Sequence, residues 1–88
     1  MRIKDGFELV NRNGQNVVTA KKGSSVSADN YIVLTETAAF LWKLLSENDV
    51  TKTKMLEELL ANFNISTVLA LGDIDTFIRT MKENGIIE

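Results

Sequence analysis

Tyr31–Leu45 reads YIVLTETAAFLWKLL, and two periodicities meet inside it. Tyr31, Ile32, Val33 and Leu34 form an unbroken apolar run of aromatic, β-branched and aliphatic side chains, the composition of a short strand. At Thr35 the pattern changes. A hydroxyl at the N-cap position, Glu36 in the first turn, and Ala38, Leu41, Trp42 and Leu45 at helical spacing predict a helix to about Ser46. A strand that feeds a helix with no linker joins a sheet to a helical layer, so the chain is α+β.

Upstream, Phe7–Arg12 and Gln15–Lys22 have β character and are separated by Asn13-Gly14. That dipeptide predicts a hairpin, because a type I′ turn needs positive φ at both central positions. In the second strand Val17 and Thr19 share one face and Val18 and Ala20 the other, which leaves the core-facing side open. Gly23-Ser24-Ser25 ends the hairpin, and Gly23–Asn30 is a polar connection with Val26 as its one large apolar residue. Tyr31–Leu34 then pairs beside the second strand, giving a three-stranded antiparallel sheet with Tyr31–Leu34 at an edge.

Downstream, the helix starts share a pattern. Leu34-Thr35, Val50-Thr51 and Ile65-Ser66 each place an apolar residue before a hydroxyl cap. Each apolar residue can pack against the fourth helical position (Ala39, Met55 and Ala70) as a hydrophobic staple. The second helix is expected over Lys52–Asn62, with Met55, Leu56, Leu59, Leu60 and Phe63 as its buried stripe. The third is expected over Thr67–Asn84, with Ala70, Leu71, Ile74, Phe77, Ile78 and Met81 buried and Gly85 as the stop. Ile86 and Ile87, apolar beyond that stop, predict a C-terminus folded back onto the body.

At 88 residues the chain has room for one domain, residues 1–88. A net charge of −2 provides no electrostatic reason to expect nucleic acid or an anionic membrane. The absence of His and Cys removes a histidine dyad, a thiolate nucleophile and a typical zinc site. The remaining carboxylates, lysines and single tyrosine form no catalytic cluster, so neither an enzyme nor a cofactor is expected. With no signal-peptide core and no membrane span, the expectation is a cytoplasmic protein.

The βββααα order and several residues resemble the PqqD family, named for pyrroloquinoline quinone biosynthesis. Gly6-Phe7 opens the hairpin, and Leu34-Thr35-Glu36-Thr37-Ala38-Ala39 is followed by Leu41-Trp42 and Leu44-Leu45. Thr51 leads into Leu56 and Leu60, and the match ends with Asp73-Ile74, Phe77-Ile78, Met81 and Gly85-Ile86-Ile87. The resemblance implies a winged helix-turn-helix-like fold that binds the leader segment of a ribosomally made precursor peptide. It further implies presentation of that peptide to a modifying enzyme, often a radical enzyme that uses S-adenosylmethionine. The leader would add as a strand beside the third strand and against the third helix. Thr35 replaces the family's usual Asn, and both residues cap well. The N-terminal third lacks the basic and aromatic positions of quinone-pathway members, which points to a relative serving another modified peptide.

The expected binding edge is Tyr31, Ile32, Val33 and Leu34. Natural edge strands are usually guarded by Lys, Pro or a bulge, and none interrupts this run. The structural alternative is a strand buried on both faces or covered by the Gly23–Asn30 connection. On the third helix, Leu69, Asp73, Thr76 and Thr80 share one flank of the apolar stripe, and Val68, Asp75 and Arg79 share the other. Sequence leaves open which flank faces the third strand; Leu69, Asp73 and Thr76 are taken as groove residues. Two other functions compete. Helices two and three could form a DNA-binding helix-turn-helix, but Thr67–Asn84 carries three acids against two bases, unlike a recognition helix. A homodimerising module could use the same strand edge.

Overall fold

The computed structural model describes residues 1–21 and 31–87. Strands β1 (Phe7–Arg12), β2 (Gln15–Ala20) and β3 (Ile32–Leu34) precede helices α1 (Glu36–Glu47), α2 (Lys52–Asn62) and α3 (Thr67–Glu83). The βββααα order is the expected one. Asn13 (φ 53) and Gly14 (φ 82) take the left-handed conformations that a type I′ turn demands. This turn sets β1 against β2 from Arg12↔Gln15 to Phe7↔Ala20, and β2 in turn pairs antiparallel with β3. The sheet order β1-β2-β3 puts β3 at an edge.

Two strand limits differ from expectation. β2 is assigned only to Ala20, although Lys21 N–H still reaches the Gly6 carbonyl at 2.8 Å. Lys22 and the Gly23–Asn30 connection lie outside the described residues. Tyr31 lies just before β3 rather than within it.

The register resolves the face that sequence left open. Directly paired residues share a face, so Leu9, Val18 and Ile32 lie together, with Phe7 and Leu34 on the same side by the two-residue alternation. These side chains pack into the hydrophobic core. Val17 and Thr19 are also buried, but on the opposite face.

Each helix begins with its expected cap. Thr35, Thr51 and Ser66 accept hydrogen bonds from the backbone N–H groups of Ala38, Lys54 and Leu69 at 3.2, 3.1 and 3.2 Å. The apolar residues preceding two of these caps, Leu34 and Val50, are buried in the core, and Ile65 packs against it. α3 ends in a Schellman motif: Ile86 N–H donates to the Met81 carbonyl and Gly85 N–H to that of Lys82, at 2.9 and 3.0 Å. Gly85 at φ 66 makes the left-handed turn. The chain then folds back as expected, and Ile86 and Ile87 are buried, with Ile87 bridging to Ile3.

Leu41, Trp42 and Leu45 of α1 meet Met55 and Leu59 of α2 and Ala70, Ile74, Phe77 and Met81 of α3 in one core. Phe40 and Phe63 make an edge-to-face contact at 5.3 Å. Two residues assigned to buried stripes are corrections: Leu60 is 39% exposed and Leu71 36% exposed. At 100° per residue both lie at the margin of their helix's apolar arc, outside the part covered by neighbours.

Candidate functional site

The hydrogen bond from Lys21 to Gly6 fixes which backbone groups β3 leaves available. Gly6 and Lys21 are opposite in the β1/β2 register, so theirs is a hydrogen-bonded pair. Bonded and non-bonded pairs alternate in an antiparallel ladder. Val10↔Val17 and Arg12↔Gln15 are therefore bonded, and Val17 directs both its N–H and C=O toward β1. Asn16 and Val18 direct theirs toward β3, where they meet Leu34 and Ile32. Val33, opposite Val17, must then point its N–H and C=O away from the sheet. β3 itself contains no Lys or Pro that would guard its edge. The Val33 side chain, on the face away from the helices, is 48% exposed.

A groove runs along this edge. It is bounded by Ile32, Val33, Leu34 and Thr35 on one side, by Thr37 and Ala38 of α1, and by Asp73, Thr76, Phe77, Thr80 and Met81 of α3. Its floor is apolar because Leu34, Phe77 and Met81 belong to the core. Threonine hydroxyls and one carboxylate form its polar part.

That carboxylate is held through a directed chain of hydrogen bonds. Thr35 Oγ1 accepts from Ala38 N–H and lies 3.2 Å from Thr37 Oγ1, which lies 3.1 Å from Asp73 Oδ2. An ionised carboxylate can only accept, so Thr37 spends its proton on Asp73 and Thr35 donates to Thr37. The cap that starts α1 thus also locates an acid on α3. Among the described residues Thr37 is the one hydrogen-bond partner of the Asp73 side chain, and no Lys or Arg pairs with it.

The groove brings together Ile32, Val33, Leu34, Asp73 and Thr76 of the expected residues. Tyr31 (63% exposed) and Leu69 (62% exposed) are outside its lining. Leu69 is on the same flank of α3 but one turn before Asp73, near the N-terminus that Ser66 caps. The flank facing β3 is the one carrying Asp73, Thr76 and Thr80. The other flank turns toward α2 and the N-terminus, where Lys52 Nζ pairs with Asp75 Oδ1 at 2.5 Å and Arg79 lies nearby.

Sequence reading passed over Thr37 and Ala38. Ala38 was legible only as a stripe residue, and the role of Thr37 depends on a partner 36 positions away. Close backbone approach could have explained Gly72 in mid-helix, but a Cβ there would meet nothing within 4 Å. Among the described residues no three His, Cys, Asp or Glu side chains converge as metal ligands.

Comparisons with known proteins bear on this arrangement. The family model described as Coenzyme PQQ synthesis protein D (PqqD) matches residues 16–87. No curated protein sequence matches the chain. Two solved structures share its fold. "TbiB1 in Complex with the TbiA(beta) Leader Peptide" is 17% identical, with a TM-score of 0.75 over 100% of this chain and 95% of that one. "Lasso peptide synthetase B1 complexed with the leader peptide" is 18% identical, with a TM-score of 0.71 over 99% and 95%.

Proposed function

Since the chain belongs to the PqqD family, we propose that it binds the leader segment of a ribosomally made precursor peptide and presents it to a modifying enzyme. The peptide adds as a strand to the edge of β3, over the groove against α3. The observation that carries this reading is the outward-pointing N–H and C=O of Val33 beside an apolar groove, because strand addition needs both. The leader peptides named with the two structural neighbours support it. The chain performs no chemistry in this reading. Its partner, for which the resemblance implies a modifying enzyme that is often a radical S-adenosylmethionine enzyme, does that work. A precursor peptide and a modifying enzyme encoded beside this protein are the corresponding genetic expectation.

β3 is three residues long, so its outward edge offers few main-chain hydrogen bonds. Side chains in the groove must supply much of the binding energy, and a dissociation constant near micromolar, about −8 kcal/mol, is the expected scale. Val33→Pro removes the outward N–H without touching the β2–β3 ladder. Calorimetry with the leader of the neighbouring precursor should show binding abolished in this variant while its circular dichroism stays that of the parent. Unchanged affinity in folded Val33→Pro would refute strand addition at this edge.

A further inference from the structure

We infer that Asp73 selects peptides carrying a lysine or arginine at one groove-facing position, with an apolar side chain two residues away. The inference rests on the proposed strand addition and deepens it.

A strand added to β3 places the side chain opposite Val33 on the outer face, because directly paired residues share a face. The residues on either side of it, two apart, turn toward α3. One of these is near the Leu34 end of β3. Asp73 is at that end too, because Thr37, which donates to it at 3.1 Å, lies in the first turn after Leu34 and Thr35. The other lies beside Ile32, whose side chain packs against the hydrophobic core on that face.

Charge gives the first position its specificity. Among the described residues that line the groove, Asp73 is the one ionisable side chain. The other acid in this part of α3, Asp75, already pairs with Lys52 on the opposite flank. Thr37 occupies Oδ2 of Asp73, and Oδ1 has no partner among the described residues. A peptide laid over the groove would cover this carboxylate with backbone and side chains. An apolar or acidic neighbour would leave the charge desolvated and uncompensated, whereas a cation would pair with it. Specificity would then come as much from penalising wrong peptides as from attracting right ones.

The test uses a display library of short randomised peptides selected on the intact chain. The best binder is then synthesised with its basic residue and with norleucine in that place. Both peptides are titrated into the parent chain and Asp73→Asn, whose amide oxygen can still accept from Thr37. Selected peptides should be enriched in Lys or Arg at one position, with an apolar residue two away. Norleucine should weaken binding to the parent about three- to tenfold and leave binding to Asp73→Asn nearly unchanged. Peptides that lose binding to Val33→Pro yet show no basic preference would overturn this inference while leaving strand addition intact. An equal norleucine penalty in both chains would also overturn it. Peptides indifferent to Val33→Pro, or no selected peptides at all, would overturn both.

Discussion

In the proposed complex Val33 and Asp73 act on one groove by different physics. Val33 offers backbone groups that any peptide could use, so strand addition there would set affinity without regard to sequence. Asp73 contributes a side-chain charge, and a peptide must complement it or bury it unpaired. The contrast also separates their variants. In Val33→Pro the ladder groups of Ile32 and Leu34 remain bonded to β2, so the loss of binding should come with little loss of stability. Trp42, in contrast, is 3% exposed and belongs to the core, so its part in the groove is to hold α1 in place.

The elements were legible where local chemistry decides them. Asn13-Gly14, the caps at Thr35, Thr51 and Ser66, and the stop at Gly85 each need only neighbouring residues, and each is where sequence placed it. Burial at the margins of a helix was not legible, because whether Leu60 and Leu71 are covered depends on how far a neighbouring helix reaches. The groove was legible in part. Periodicity separated the two flanks of α3, but choosing between them required the packing of α3 against β3 and the bond between Thr37 and Asp73. The outward direction of the Val33 amide likewise needed the register across all three strands. Gly72 provides a prediction for α3 itself. Its position in the helix interior, with open space where a Cβ would go, means that Gly72→Ala should raise stability by about 0.5–1 kcal/mol in urea denaturation. The same substitution should leave peptide affinity unchanged, since Gly72 is outside the groove's lining.

For the molecule as a whole, the N-terminal segment ties separate parts together. The Met1 amine pairs with Asp49 between α1 and α2, Val50 N–H donates to the Met1 carbonyl at 2.8 Å, and Lys4 N–H reaches the Ile86 carbonyl at 2.7 Å. The hydrogen bond and charge of that amine hold the Asp49 carboxyl below the usual carboxylate range. A carboxyl depressed in the folded state contributes stability that is present above its unfolded pKa and is lost as pH falls through the folded value. Asp49→Asn should therefore flatten the acid limb of the stability-versus-pH curve relative to the parent, with a small effect because the site is exposed.

The groove and the outward edge of β3 meet at the backbone of one residue, Val33. Amide hydrogen exchange, followed residue by residue by NMR with and without a selected edge-binding peptide, reads that backbone directly. The expected result is marked slowing at Val33 on binding, with little change at Ile32 and Leu34, whose amides β2 already holds. A saturating peptide that leaves exchange at Val33 unchanged would contradict strand addition at β3.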